Sequence, residues 1–564
     1  MTKKIFTFFF FGLLIGLCLH SCKPKLSADL VVMNAKVWTG SDSVFSEAIG
    51  IRKNKIIYVG TSDEAMKLSA STTRVIDAKG KLVIPGFNDA HIHFLSGSIG
   101  LTEVELSSAE SVEEVCKRIR EFAEKNPTLP WITGRGWQYT FFPGGMPTRE
   151  FLDTLSIDRP IYISAYDGHS SLANSKALEL AGITRESKFD GYGEIILDQS
   201  GEPTGVLTEH AESLIDRIVP PLSRNDKLNA LRKGMQVAAS FGITSIQNAS
   251  GSIDEFSLYE ELFENGELSL RSSTAFSVDE KTTDDNIELF KTTRDRIQKN
   301  HMVSAGAVKF MLDGVIESHT AAMLEQYSDA EGKGRLSMPV ERYRQLVLSF
   351  DKAGFQIYTH AIGDLAVREA VNAYEFAQQT NSTSLARHRV EHIEMVSQED
   401  VPRFARLGIL PSMEPIHAEP ATIAVWAKAV GESRLPNSFA WASFLKSNAT
   451  LVFSSDWPAC VSLDPLYGLH VAVTRCTPGG LPVGGWVPEQ KISIQDALTA
   501  YTIGGAYASF DEEVKGKIAS GYLADIVILS QDLFKIAPLE TRKTKVALTI
   551  FDGKIIYQND SLMN

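Results

Sequence analysis

His91 and His93 stand two residues apart in the stretch Pro85–Phe94, PGFNDAHIHF, which follows an apolar run. On a strand, residues i and i+2 point to the same face, so both imidazoles can aim at one point. Such a pair can fill a core, relay protons, or supply half of a metal site whose other half lies elsewhere in the chain. Four later residues bear on the choice. Lys309 lies inside the apolar AVKFMLDG, His360 in FQIYTHAIGD, His392 in RHRVEHIE and Asp456 in TLVFSSDWP. Each alone has an ordinary reading: a histidine satisfied in a core, a snorkelling lysine, an aspartate capping a helix. Taken together, in order and each at or near the end of an apolar run, they read as a metal site. Imidazole and carboxylate donors suit zinc, and also iron or manganese.

The elements that must position these groups are eight strand-like runs. They are LVIPGFNDAHIH from Leu82, GITSIQN from Gly242, LRSSTAFSV from Leu270 and AVKFMLDG from Ala307, then FQIYTHAIGD from Phe355, RHRVEHIE from Arg387, GILPSMEP from Gly408 and TLVFSSDWP from Thr450. Amphipathic helical stretches such as LAVREAVNAYEFAQ, from Leu365, lie between several of them. Eight strands alternating with helices predict an α/β fold, a (β/α)8 TIM-like barrel, in which active groups sit at the C-terminal ends of strands. The barrel is expected over residues 85–510. The stretch from about 100 to 225 does not fit the count. It carries its own strands (WITGRGW, IYISAYDG) and a helix opened by a capping box from Ser111 to Glu114, and reads as a large insertion after the first barrel strand, over the barrel mouth.

Both ends of the chain are β-rich. Residues 29–84 read as short strands broken by Asn, Lys and Gly, and residues 511–564 end in a hairpin with Asp552-Gly553 at its turn. The tetrapeptide Lys55-Ile56-Ile57-Tyr58 recurs as Lys554-Ile555-Ile556-Tyr557. These two ends are expected to build one small sheet domain together.

The 564 residues carry 56 basic and 69 acidic side chains, a net charge of −13. No basic cluster stands out past the first few residues, which argues against a nucleic-acid partner. Lys3 and Lys4 precede an apolar run from Ile5 to Leu19, shorter than the roughly 20 residues a membrane span needs, and fit a signal peptide over residues 1–21. Leu19-His20-Ser21-Cys22 resembles a bacterial lipobox, so Cys22 is the expected lipidation site; an ordinary secretory signal is the alternative. The expected location is the bacterial cell envelope, lipid-anchored and periplasm-facing. Cys116 falls on the apolar face of a helix, and a Cys460–Cys476 pair is left open. His388 is expected to face the helices. His210, His301, His417 and His470 carry no functional signal.

On His91-x-His93, Lys309, His360, His392 and Asp456 the chain resembles the amidohydrolase superfamily. Its amidohydrolase-3 branch, the YtcJ-like and N-substituted formamide deformylase-like proteins, is closer still. PGFNDAHIH, GRGW at Gly134, DGHSSLANSKAL from Asp167, GEPTGVL from Gly201, VKFMLDGVIESHTAAML from Val308, HAIGD, RVEHIE, SSDWP, YTIGGAYA from Tyr501 and GYLADIVILSQD carry that resemblance across residues 29–560. It implies a metal-bearing barrel with a composite β-sandwich domain drawn from both chain ends. By the family pattern His91, His93 and Asp456 hold one divalent metal and His360 and His392 a second. Lys309 lies between them as an N-carboxylated lysine. Carboxylation needs a neutral amine, which burial favours; an unmodified Lys309 beside a single metal is the alternative. The implied chemistry is hydrolysis of a non-peptide C–N bond in a small amide, an N-formyl or N-acyl amine or a cyclic amide, by a metal-activated hydroxide with Asp456 moving the proton. Alternatives are a deaminase or ester hydrolase on the same barrel, or a non-catalytic solute-binding lipoprotein. His169 in the insertion and His319, where many relatives carry Arg, are candidate substrate contacts.

Overall fold

The computed structural model describes residues 27–40, 45–142, 145–165, 170–190, 193–297, 300–383, 386–460 and 462–563. The leader, Cys22 and His169 lie outside the described residues. Eight strands form one parallel sheet in chain order: Phe87–Ile92, Ile243–Gly251, Arg271–Val278, Val303–Met311, Gln356–Ala361, Arg389–His392, Leu410–Met413 and Val452–Phe453. Most of their residues are buried on both faces, as strands wrapped by helices must be. The eighth strand is only two residues long, and hydrogen bonds just beyond it nearly close the barrel. Asp456 N donates to His91 O at 2.9 Å, His93 N to Trp457 O at 2.9 Å, and Ser455 N to Asp89 Oδ1 at 3.0 Å.

Helices cover the sheet between strands. Arg224–Ser240 begins at a capping box between Ser223 and Asp226, and Val340–Lys352 and Asp364–Asn381 flank the fifth strand. No helix among the described residues is long and apolar enough to cross a membrane.

The run expected as one first strand is two. Leu82–Pro85 joins a six-stranded sheet with Lys36–Trp38, Phe45–Ser46, Ile526–Leu529, Val546–Phe551 and Lys554–Gln558, and Phe87–Ile92 enters the barrel. Gly86 makes the passage, where a Cβ would lie 2.1 Å from Thr244 Oγ1. A four-stranded sheet of Leu30–Met33, Ala48–Arg52, Lys55–Gly60 and Arg74–Asp77 shares an apolar cluster with the six-stranded one: Val32, Ile49 and Ile51 meet Val83, Ile526 and Ile550. The two KIIY segments each form the return strand of a hairpin, one in each sheet. Asp552 and Gly553 both have positive φ, as the tight turn between paired strands requires.

Residues 104–208 contain a separate six-stranded sheet, running in order through Ile195–Leu197, Pro203–Thr208, Ser170–Ala173, Ile161–Ala165, Ile132–Trp137 and Val104–Glu105. It packs its own core around Trp137, Val115 and Ile119. Helix Val112–Lys125 has half of the expected box. Ser111 accepts from Glu114 N, but the Glu114 carboxylate accepts from Glu110 N at 3.0 Å instead of turning back to Ser111. Cys116 is partly buried against this core, and Cys460 and Cys476 are not joined by a disulfide.

Candidate metal centre

The C-terminal ends of the barrel strands bring the six expected residues into one locality. In register, Lys309 lies beside Ser277, Met311 beside His360, and Ala361 beside His392, so the groups climb the barrel wall by stagger. His91 Nε2 lies 3.2 Å from Lys309 Nζ and 3.5 Å from Asp456 Oδ1, and His93 Nε2 lies 3.2 Å from the same oxygen. The ring of His392 is 4.8 Å from that of His91 and 4.6 Å from that of His360. His392 (φ 72°) and Asp456 (φ 55°) both have left-handed backbone. Such a conformation is uncommon outside glycine, although Asp and His adopt it more readily than most residues, and it redirects a side chain that strand alternation would point elsewhere.

Partners behind the imidazoles fix which nitrogen faces the centre. His91 Nδ1 lies 2.6 Å from Glu391 Oε2. Arg389 donates to both Glu391 oxygens, at 2.8 and 3.0 Å, and also to Gln247 Oε1, Ala90 O and Ser412 Oγ, tying four barrel strands together. His392 Nδ1 lies 2.9 Å from Glu414 Oε2, whose other oxygen accepts from Ser454 Oγ at 2.9 Å. His360 Nε2 lies 3.1 Å from Gly314 O, which leaves Nδ1 as its free lone pair.

Electrostatics favour metal donors. Burial drives the His91 imidazole down to about 4, helped by Lys309, and that of His392 to about 3; burial also takes His360 well below its ordinary value. All three are neutral at neutral pH, with lone pairs available. Burial lowers the Lys309 ammonium against the pull of Glu391 and Asp456. Burial alone would raise the Asp456 carboxyl, but the imidazoles of His417 and His93 beside it hold it well below the usual range. Asp456 Oδ1 is buried without a hydrogen-bond partner, although it lies between two imidazole nitrogens. A buried anionic oxygen left unsatisfied is costly. The ligand atoms of His91, His93 and Asp456 lie within 4.8 Å of one another, as do those of His392, His417 and Asp456. The donor set fits a divalent cation.

His417 is the residue the sequence reading passed over. It follows the seventh strand, stacks on His392 at 5.6 Å, and spans Asp456 and Glu394. Its Nε2 is 3.4 Å from Asp456 Oδ2 and its Nδ1 3.3 Å from Glu394 Oε1. Both contacts raise its basicity well above the ordinary value despite burial. Its place just past a barrel strand, in EPIHAEP, was the available signal. Glu391, Glu394 and Glu414 were also passed over. His319 faces Asp329 (Nε2 to Oδ1, 2.8 Å) and packs edge-on to Tyr327, outside the cavity walls described next. His388 is buried against helix residue Asp351.

Two cavities meet beside the centre. One, of about 600 Å3, is lined by Lys309, His360, His392, His417 and Asp456 together with Glu317, Glu394, Glu419 and apolar side chains. The other, of about 830 Å3, lies between the barrel mouth and the 104–208 sheet and is lined by Glu103, Arg135, Tyr162 and Asp216 among others. His93 and Ala459 line both.

Comparison with known proteins agrees with this geometry. The amidohydrolase family model matches residues 74–557. Protein LONG AFTER FAR-RED 3 of Arabidopsis thaliana is 30% identical over 546 residues, covering 94% of this chain and 92% of that protein. The N-substituted formamide deformylase of Arthrobacter pascens is 26% identical, covering 94% and 98%. The crystal structure of an uncharacterized metal-dependent hydrolase from Pyrococcus furiosus superposes with a TM-score of 0.73 at 26% identity, over 90% of this chain and 100% of that one. With an eight-stranded barrel carrying histidine, lysine and aspartate at its strand ends, the chain belongs to the amidohydrolase family and is a hydrolase acting on carbon–nitrogen bonds other than peptide bonds.

Proposed function

We propose that the protein hydrolyses an N-formyl or N-acyl amine, or a cyclic amide, at a zinc centre held by His91, His93 and Asp456 on one side and His360 and His392 on the other, with Lys309 carboxylated between them. The observation that carries this reading is Asp456 Oδ1, buried, anionic and unsatisfied between His91 and His93. The formamide deformylase among the relatives supports the amide class. When bound, a divalent cation supplies carbonyl polarisation and lowers the pKa of a coordinated water to about 7. The rest is done by the chain. Asp456 Oδ2, beside His417, is placed to take a proton from water and return it to the departing amine nitrogen. Glu391 and Glu414 orient His91 and His392, and the low basicity of buried Lys309 favours the neutral amine that carboxylation needs.

The two terminal sheets read as a composite β-sandwich, and the segment from about 100 to 225 as an insertion over the barrel mouth. Cys22 is read as a lipid anchor holding the protein at the cell envelope, with a small amide rather than a macromolecule as its partner. Replacing Cys22 with Ser should release the protein from the membrane fraction; a wild-type protein already free of membranes would overturn the anchor.

The test of function is elemental analysis of the chain without residues 1–21, joined to amine release from N-benzylformamide. About two equivalents of zinc per chain are expected, with uptake of the second promoted by added bicarbonate and lost in Lys309→Ala. No metal uptake from added zinc or manganese, or turnover that survives both His91→Ala and Asp456→Ala, would overturn the reading.

A further inference from the structure

Beyond the metal residues, the polar side chains on the cavity of about 600 Å3 are already engaged. Glu394 accepts from Trp426 Nε1 at 2.7 Å and faces His417 Nδ1 at 3.3 Å, and His417 Nε2 faces Asp456 Oδ2. Glu419 is bonded by Ala421 N at 2.8 Å and by Tyr467. The Thr422 hydroxyl donates to Glu419 O at 3.0 Å, and Ser250 shares a hydrogen bond with Ser277 at 2.9 Å. Glu317 is exposed to solvent.

The surface left open on this cavity is apolar. Met311 ends the fourth barrel strand two residues after Lys309, so strand alternation puts its side chain on the same side as the lysine. Lys309 is buried there, whereas Met311 is 49% exposed. Val315, 40% exposed, follows four residues later, and Ile362 and Ile416 complete the same lining. Large apolar side chains held open to water beside a polar centre are unfavourable in the free protein, and a hydrocarbon that covers them recovers that free energy.

Asp456 decides which part of a substrate lies there. Its Oδ1 stands between His91 and His93, and its Oδ2 turns to His417, the neighbour of Ile416 on this wall. A proton returned from Oδ2 reaches a nitrogen on the His417 side. The substituent of that nitrogen then extends along Ile416, Val315 and Met311.

We propose that Met311 and Val315 select the substrate: the departing amine carries a neutral hydrocarbon group, which packs on these two side chains while the amide nitrogen lies at Asp456 Oδ2. This rests on the amide-hydrolase reading and narrows it to amides of apolar amines.

The test is a series on the zinc-loaded protein: N-methyl-, N-butyl- and N-hexylformamide, with N-(5-aminopentyl)formamide as a cationic counterpart of the longest. The expected kcat/KM rises roughly two- to fourfold for each added methylene. N-hexylformamide should also exceed the cationic probe at least about tenfold, because a charged end loses its hydration on this wall. In Met311→Gln/Val315→Thr, close to wild type in shape but polar, the ratio of N-hexyl to N-methyl should fall at least about fivefold. A wild-type ratio near one, a cationic probe as good as N-hexylformamide, or a ratio unchanged in the double variant would overturn the proposal. Both side chains are exposed, so the variant is expected to fold; if its melting transition shows otherwise, the wild-type ratios and Val315→Thr alone decide. If no probe is hydrolysed, the amide-hydrolase reading fails on these probes, and calorimetric binding of the same series still judges the apolar wall. Affinity that rises with chain length, and loses that rise in the double variant, supports it. Affinity independent of length, or no binding, overturns it.

Discussion

Glu391 Oε2 lies 2.6 Å from His91 Nδ1, and Arg389 grips both oxygens of the same carboxylate. All three side chains are fully buried. The imidazole that would touch the metal is thus aimed by a carboxylate that is itself fixed by a guanidinium at the barrel axis. Burial would raise the Glu391 carboxyl, but Arg389 and His91 keep it well below the usual range. Glu391→Gln should weaken zinc affinity about 10–100-fold, since the amide no longer orients the ring as a charged acceptor. It should also lower stability by about 3 kcal/mol, because the Arg389 charge is left buried and unbalanced. Chelator competition reads the first effect and denaturant unfolding the second. Zinc affinity equal to wild type would mean that His91 is held by packing alone.

His417 spans Asp456 and Glu394 without being one of the six residues read from the sequence. As a positioning residue for Asp456 it should matter for turnover more than for metal. His417→Ala is expected to lower kcat about 100-fold, with the larger change in kcat and not in KM, and with zinc content retained. Loss of one zinc equivalent from this variant would instead make His417 a ligand.

The barrel and the six expected residues were legible because both rest on order along the chain. Apolar runs mark the strands, and a histidine at the end of a run marks the mouth. Cross-barrel pairing has no such signature. Glu391 precedes His392 directly, so alternation would send the two to opposite faces. The φ of 72° at His392 overrides that pattern and lets both serve one centre. His417 follows a strand in a short 3-10 turn with no periodicity to flag it. The run from Leu82 read as one strand because Gly86 gives no hydropathy signal, although the chain changes sheets there.

Glu255 offers a pH test at a carboxyl that is not itself one of the expected metal residues. It lies at the start of helix Ile253–Glu264, where its Oε1 accepts from Asn248 Nδ2 at 2.9 Å and from the Tyr259 hydroxyl at 3.4 Å. Burial pushes its carboxyl from 4.5 up to about 7. A raised carboxyl binds its proton more tightly in the folded state. Its contribution to stability is therefore complete below about pH 4.5 and is lost as pH rises through about 7. Glu255→Gln keeps the neutral form at every pH. The variant should exceed wild type in stability by about 2–3 kcal/mol near pH 8, with the gap shrinking steadily towards pH 5. Urea midpoints at the two pH values measure this; a gap that does not change with pH, or has the opposite sign, counts against a buried neutral Glu255.

Gly86 links the fold to the site, because it carries the chain from the terminal sheet into the strand that ends at His91 and His93. Its backbone N–H donates to Asp525 O at 2.9 Å, and an added Cβ would meet Thr244 Oγ1 at 2.1 Å and Cγ2 at 2.5 Å. The first and second barrel strands pair here, with Ile243 beside Phe87 and Ser245 beside Asn88, and Thr244 is the extra residue at the register shift between them, held against Gly86 by the pairs on either side. Gly86→Ala should therefore destabilise by about 1–3 kcal/mol and loosen zinc binding through the displaced strand. Thr244→Ala removes the two closest atoms. In the double variant the losses should not add, and the shortfall should be about 1 kcal/mol. Simple additivity would place the cost of Gly86→Ala in backbone conformation and not in this contact, and the strand carrying the two histidines would then be positioned by its own hydrogen bonds alone.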